Sequence, residues 1–215
     1  MTARGFAMRS VRGKAALEDG RARWLQAMRA TALIVLGVAL IAPKARAQPQ
    51  PEVQVVAQRV LIEHIRITST KPFAEVKAAL ETKVQRYDER VTSLFRSGNV
   101  EGARAELERL ASPTGVMLMQ TLNLGAGLAL NGLRRNAMQY GIGNVITASE
   151  MTKYRLAAAL YAPIRVVLYE AEGGGAVIEY DRPTSLFGNL KSKEIDVVAA
   201  RLDEQLQSVF KDVTQ

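Results

Sequence analysis

Apolar runs alternate along the chain with polar and glycine-rich stretches, and their spacing predicts a mixture of strands and helices. Short runs rich in β-branched residues predict strands at residues 55–68, 116–123, 137–140, 164–169 and 176–180. Apolar residues at steps of three and four predict amphipathic helices instead. The predicted helices are a long one from 70–72 to residue 94, one capped by Asn99 and ended by Pro113, one over 147–159, and a last one capped by Ser192.

Glycine and capping residues predict how these elements are joined. Gly173-Gly174-Gly175 lies between the last two strands and predicts a β-hairpin. Gly141-Ile142-Gly143 is interpreted as a tight turn before the helix that the capping-box residues Thr147 and Glu150 begin. Asp181-Arg182 predicts a strand end with a local ion pair. Strands and helices are mixed without strict alternation. The predicted fold is therefore a single compact α+β domain over residues 55–212, with a mainly antiparallel sheet and helices packed on one face.

The first 47 residues have the pattern of a secretory signal rather than of a folded core. Three arginines, Arg21, Arg23 and Arg29, precede the apolar run 30–42, and small residues before Gln48 predict cleavage after Ala47. The apolar run has 13 residues, whereas a spanning helix needs about 20. We expect an exported, periplasmic protein that meets the membrane only during transport. Translation can begin at Met1, Met8 or Met28, and residues 48–54 are interpreted as a Pro/Gln-rich spacer.

Charge and cysteine content exclude several classes of function. The chain has a formal charge of +8, but nine basic and two acidic residues lie within residues 1–47. Residues 48–215 therefore hold 20 basic and 19 acidic groups, so no nucleic-acid partner is expected. The chain has no cysteine, which excludes disulfides, thiolate metal sites and a cysteine nucleophile.

The residues that could carry chemistry are few, and each has a structural interpretation. His64 is the only histidine, so any imidazole-based catalysis or metal site would need it. Gly141 and Gly143 do not continue into a dinucleotide motif, because Ile146 stands at the third glycine position. Met117, Met119, Met138 and Met151 are potential soft ligands for copper or haem, but core packing explains them as well. No cofactor and no metal site is predicted.

A set of polar residues around the centre of the sequence is predicted to form a ligand site. Asn123, Tyr140, Asn144 and Arg165 are expected to converge there, and Tyr180 is the fifth candidate ligand-binding residue. Arg165 alternates with apolar neighbours and is expected on the opposite face of its strand.

The residues between Tyr140 and Pro183 resemble the bacterial family called domain of unknown function 302. The matching motifs are Gly143-Asn144, Met151, Pro163-Ile164-Arg165, Tyr169-Glu170 and Tyr180-Asp181-Arg182-Pro183, in a likeness that covers residues 62–210. Asn123-Leu124 stands where many members have an Asp-His pair, and Val145 replaces a proline. The resemblance implies a compact α+β domain that forms homodimers, and it implies no activity.

The sequence favours an exported, non-catalytic domain that binds a small ligand or a protein partner. Two alternatives remain open: a periplasmic metal- or haem-binding protein that uses His64 and a methionine, and an unrecognised hydrolase. An enzyme predicts clustered ionisable groups in an apolar cleft. A metal or haem site predicts His64 facing a methionine across a cavity.

Overall fold

A computed structural model describes residues 53–215 of the chain, so the predicted leader and most of the predicted spacer lie outside the described residues. The strands are β1 (His64–Ser69), β2 (Met117–Asn123), β3 (Ala137–Gly143), β4 (Ile164–Glu170) and β5 (Ala176–Asp181). The α-helices of this part are α1 (Phe73–Lys83), α2 (Glu89–Arg96), α3 (Val100–Ala111), α4 (Leu124–Leu128), α5 (Val145–Thr152), α6 (Pro183–Phe187) and α7 (Lys193–Thr214). Short 3₁₀ segments cover Ala129–Asn131, Leu156–Tyr161 and Gly188–Leu190.

The five strands form one sheet in the order β1-β5-β4-β3-β2, and every neighbouring pair is antiparallel. Strands β2 to β5 follow one another in space as they do along the chain. β1 comes first in the sequence but lies at the edge beside β5, with His64 opposite Asp181. The predicted α+β class with an antiparallel sheet is confirmed.

One face of the sheet carries the main hydrophobic core. α1 and α7 pack there against the apolar side chains of the three central strands, and Leu80, Leu206 and Phe210 are fully buried. The side chains of β4 alternate between buried and more exposed positions, as expected for a sheet with one covered face. A second, smaller core lies between α2, α3 and the start of β2, around Val91, Leu107 and Met117.

The first predicted strand and the first predicted helix were both too long. The strand begins at His64 rather than Val55, and no residue of 53–63 belongs to a strand. The predicted helix is broken after Lys83, because residues 85–87 pair with β2: Leu118 N–H donates to Gln85 O, and Tyr87 N–H donates to Leu118 O. Asp88 then caps α2 through a 2.8 Å hydrogen bond from Arg90 N–H.

The interpretation of Gly141-Ile142-Gly143 as a turn was wrong, because β3 continues through all three residues. Pro163 lies against both glycines, and a side chain on Gly141 would come within 2.9 Å of Pro163 Cγ. The following helix also begins earlier than predicted. Its cap is Asn144 rather than Thr147, whose side chain is buried, and α5 ends at Thr152.

The C-terminal part agrees well with the sequence. β4 and β5 form the predicted hairpin, and all three glycines of its turn have positive φ angles. Ser192 caps α7, whose predicted apolar face is buried. Asp181 and Arg182 do not form the predicted local ion pair. Arg182 Nη2 lies 3.2 Å from Glu63 Oε1, and Asp181 Oδ1 lies 2.9 Å from Nδ1 of His64 on β1. Within residues 53–215, no helix combines the length and the apolar character that crossing a membrane requires.

Candidate functional site

The two tyrosines of the predicted ligand site lie in the core rather than at a site. Tyr140 is fully buried, and its hydroxyl donates to Glu81 Oε1 of α1 at 3.0 Å. Tyr180 is 3% exposed, and its ring centroid lies 4.9 Å from that of Phe210 on α7. Burial raises the pKa of both phenols, and the negative charge of Glu81 raises the pKa of Tyr140 further. Both hydroxyls stay protonated at neutral pH, and the Tyr140 hydroxyl is out of reach of a ligand in solvent.

The remaining predicted residues are distributed around the sheet. Asn144 caps α5 by accepting from Ile146 N–H at 2.9 Å and donates to Gly115 O at 3.0 Å, so both ends of its amide are used. Arg165 is exposed on the face of β4 opposite Tyr140, as predicted. Asn123 is opposite Met138 near the start of β3, whereas Asn144 follows the end of β3. Given the rise per residue of a strand, the two asparagines are roughly 20 Å apart. The predicted residues therefore do not converge on one site.

Asn123 instead lines a cleft formed by the connection between β2 and β3. The cleft has a volume of about 350 Å³, and its wall includes Asn123, Gly125, Leu133, Arg134, Arg135 and Asn136. Asn123 positions one side of it by capping α4, since its Oδ1 accepts from Ala126 N–H at 3.0 Å. Gly125 permits the close approach of the two sides, because a side chain there would collide with the backbone carbonyl of Arg135.

The polar groups of this cleft leave positive charge available to a ligand. Asn136 Nδ2 donates to Glu170 Oε2 at 2.8 Å, and Arg135 makes only long contacts, to Glu170 O at 3.5 Å and Glu172 Oε1 at 3.8 Å. Arg134 forms no ion pair with any residue of the described part of the chain. Guanidinium groups bind carboxylates and phosphates through paired, charge-assisted hydrogen bonds. The arrangement therefore suits a small anion.

A second polar cluster lies on the open face of the sheet, around His64. Its ring nitrogens face two different carboxylates, with Nδ1 2.9 Å from Asp181 Oδ1 and Nε2 3.0 Å from Glu179 Oε2. Tyr169 OH donates to Glu179 Oε1 at 2.6 Å, and Arg66 Nε lies 3.4 Å from the same oxygen. The hydrogen bond to Asp181 contributes most to raising the pKa of His64, and the hydrogen bond to Glu179 raises it further. Hydrogen bonds from Tyr169 and His64 lower the pKa of Glu179.

This cluster ties the edge strand β1 to β5 and leaves the imidazole with no unused nitrogen. A metal ligand or a general base needs a ring nitrogen with an available lone pair, and here both nitrogens are directed at carboxylates. Within residues 53–215, no three His, Asp or Glu side chains are placed to hold a metal ion.

The methionines are also far from His64. Met117 and Met119 lie on β2, at the opposite edge of the sheet, and Met138 and Met151 belong to the main core. None of the four therefore faces His64 across a cavity, and the arrangement that the metal or haem alternative predicts is not found in the described residues.

A second hollow, of about 190 Å³, lies beside the end of β3 and is apolar. Its wall includes Met119, Gly143, Val145, Ala148 and Pro163. Asn144 also lines this hollow, but its amide is already used to cap α5 and to bind Gly115 O. The hollow therefore suits an apolar group better than a charged ligand.

The sequence indicated part of the arginine-lined cleft. In the sequence, Arg134-Arg135 has the pattern of the polar tip of a glycine-containing loop, and neither these arginines nor Asn136 are among the predicted ligand-binding residues. Two adjacent arginines shortly after a candidate ligand residue were a usable signal. The contribution of Glu170 was not visible, because it depends on the pairing of β3 with β4.

Comparisons with known proteins agree on one family. A family model described as "Domain of unknown function DUF302" matches residues 89–213. The fold is similar to the crystal structure of an uncharacterized conserved protein DUF302 from Bacillus stearothermophilus, with a TM-score of 0.50 and 18% sequence identity. That likeness covers 71% of this chain and 98% of the other, and at this identity it shows the fold alone. No curated protein matches the chain.

Proposed function

The chain belongs to the family described as domain of unknown function DUF302, and we propose that it is an exported domain that binds a small anionic molecule. The proposed site is the cleft between β2 and β3. The proposal depends mainly on Arg134. Its guanidinium group lies in the wall of a cleft of about 350 Å³ and has no acidic partner among residues 53–215. This volume is within the range of small-molecule sites.

The position of the cleft supports the same proposal. Asn123 stands where the family resemblance places an Asp-His pair in many members, and it lines the cleft. An asparagine there offers hydrogen bonds without a negative charge, and the two arginines add positive charge beside it. In this chain the site therefore favours an anion over a cation.

We propose binding rather than catalysis because of the kinds of side chain that line the cleft. Its polar side chains are amides and guanidinium groups. Neither gains or loses a proton near neutral pH, so neither serves as a general base or as an activated nucleophile. A hydrolase needs a general base, an activated nucleophile or a metal-bound water, and these side chains supply neither of the first two. The cleft can orient a carboxylate or phosphate group and hold it.

Export is supported by the leader alone. The basic residues before the apolar run 30–42 and the Ala45-Arg46-Ala47 sequence fit cleavage before Gln48 in the periplasm. Separation of periplasmic and cytoplasmic fractions, followed by the intact mass of the protein, tests this. A periplasmic form that begins at Gln48 is expected, and a cytoplasmic form that retains Arg29 would contradict it.

Isothermal titration calorimetry with inorganic phosphate and with succinate tests the binding site. We expect binding of at least one of these anions and none of glycerol at the same concentration. Replacing Arg134 with glutamine removes the charge at similar length and should weaken binding about tenfold or more.

Arg165 provides the matched control for that variant. It is also an exposed arginine without an ion pair in the described residues, but it lies on β4, away from the cleft. Arg165→Gln should bind as the unaltered protein does. If Arg165→Gln loses affinity and Arg134→Gln keeps it, the site lies on the open sheet face and the proposed cleft is wrong.

We also propose that the domain forms a homodimer, as the family resemblance implies. The nearly balanced charge of residues 48–215, with 20 basic and 19 acidic groups, leaves little net repulsion between two copies.

A further inference from the structure

We propose that residues 53–63, the arm that precedes β1, pair as an antiparallel strand with the same residues of a second copy. This inference rests on the homodimer proposed above and assigns its contact surface. It is independent of the anion site, which lies in the connection between β2 and β3.

The arm exposes an unusual amount of apolar side chain. Exposed fractions are 85% for Val53, 87% for Val55, 84% for Val56 and 90% for Leu61, and Val60 and Ile62 are also exposed. Single exposed apolar residues are ordinary, whereas six within ten positions mark an interaction surface. Four of these six are valines and one is an isoleucine, which are residue types that favour strands.

The backbone of the arm has no strand partner within the described part of the chain. Pairing of β1 with β5 ends where Arg182 N–H donates to Glu63 O at 2.8 Å. Beyond that point the chain of β5 turns into α6, so no strand of the same copy continues alongside residues 53–62. Strand-forming sequence without a partner is suited to pairing with another chain.

The order of residues in the arm is complementary to itself, which favours a second copy as the occupant. In a two-fold antiparallel pair, a residue on the axis faces its own equivalent, and all other pairs follow from it. With Gln58 on the axis, Val56 is opposite Val60 and Val55 is opposite Leu61 of the other copy. Arg59 is then opposite Ala57, so no two like charges meet.

Pairing in this register would extend β1 backward to the start that the sequence pattern predicts, near Val55. Each apolar pair occurs twice because of the symmetry, and each contributes to association through side-chain burial across the two strands. The result is a sheet that continues from β1 of one copy through two paired arms to β1 of the other.

Sedimentation equilibrium of the purified protein between about 1 and 100 μM tests the dimer, with its N-terminus established by intact mass. Leu61→Lys places a charge in two of the apolar pairs and should weaken dimerisation about tenfold or more. Leu130→Lys is the matched control, since Leu130 is 91% exposed but lies between β2 and β3. It should leave the dimer unchanged.

The chain contains no cysteine, so introduced cysteines report the register directly. Gln58→Cys should form a disulfide-linked dimer on mild oxidation, because the two cysteines face each other across the axis. Ala57→Cys and Leu130→Cys should cross-link much more slowly.

The possible outcomes distinguish two statements: that the protein forms a dimer, and that the arm is the contact surface of that dimer. A dimer that Leu61→Lys leaves intact, or equal cross-linking by all three cysteine variants, would overturn the arm as the contact while keeping the dimer. A protein that is monomeric throughout the concentration range would overturn both. Binding of a monomer to phosphatidylglycerol vesicles that is lost in Leu61→Lys would assign the arm to a lipid surface instead and overturn the proposal.

Discussion

His64 and Asp181 lie directly opposite each other on β1 and β5, and their side chains are joined by a 2.9 Å contact between Nδ1 and Oδ1. Glu179, two residues earlier on β5, contacts the other ring nitrogen at 3.0 Å. The only histidine of the chain is thus held between two carboxylates at the edge of the sheet. A charged imidazolium satisfies both contacts, whereas a neutral imidazole can donate only one hydrogen bond.

The stability of the fold should consequently depend on pH through His64. Its pKa is raised in the folded state above the ordinary 6.5, first by Asp181 and then by Glu179. The stabilisation is complete below pH 6.5 and is lost as the pH rises through the folded-state pKa. Because 56% of the side chain is exposed, the effect should be small, about 0.5 kcal/mol.

Urea unfolding at a series of pH values from 5.5 to about 8.5 measures this dependence. His64→Gln should remove the decline above pH 6.5, since no other side chain of the protein has its ordinary pKa in that range. An equal decline in the glutamine variant would show that another group is responsible.

Tyr140 and Tyr180 should contribute to stability rather than to binding, and to different extents. Tyr140→Phe leaves Glu81, which is 21% exposed, without the hydroxyl donor and should lower the free energy of unfolding by about 1 kcal/mol. The hydroxyl of Tyr180 has no hydrogen-bond partner within residues 53–215. Tyr180→Phe should therefore change the free energy of unfolding by only a few tenths of a kcal/mol.

Urea unfolding and the succinate titration, applied to both phenylalanine variants, check this expectation. Unchanged anion affinity is expected in each. A loss of affinity without a loss of stability would return that tyrosine to the binding site, where the sequence had placed it.

Gly141 should tolerate no side chain, because Pro163 is packed against it. A Cβ atom there would lie 2.9 Å from Pro163 Cγ and 3.4 Å from Gln120 Cβ, and the rigid proline ring cannot rotate away. Gly141→Ala should therefore destabilise the protein by about 1–3 kcal/mol.

Gly127 is the control, since a Cβ atom there meets nothing within 4 Å. It lies in the short helix α4, where alanine is the better helix former, so Gly127→Ala should be neutral or slightly stabilising. Thermal unfolding of the two variants gives the comparison. Equal melting temperatures would mean that β3 and Pro163 separate easily.

Local sequence signals predicted the parts of the fold that local forces determine. The hairpin with three glycines, the cap at Asn99 and the long amphipathic helix α7 needed no knowledge of distant residues. The break between α1 and α2 could not be predicted in this way. It follows from hydrogen bonds between residues 85–87 and Leu118, which is distant in the sequence.

The candidate site shows the same limit. Arg134 and Arg135 were visible as a polar loop, but the cleft exists because β2, β3 and β4 bring that loop together with Glu170. Conversely, Tyr140 and Asn144 have the residue types of a binding site and are used for packing and capping. Residue type alone did not distinguish a polar group that serves the fold from one that is available to a ligand.

The edge position of β1 also governs when this sheet can close. The contact between His64 and Asp181 joins residues 117 positions apart, so the first strand must wait until the last has been synthesised. Such long-range closure slows folding. A polypeptide that emerges N-terminus first thus keeps its β1 segment unpaired for most of its synthesis, and the export proposed above would be favoured by this delay because a chain must be unfolded to cross a membrane channel.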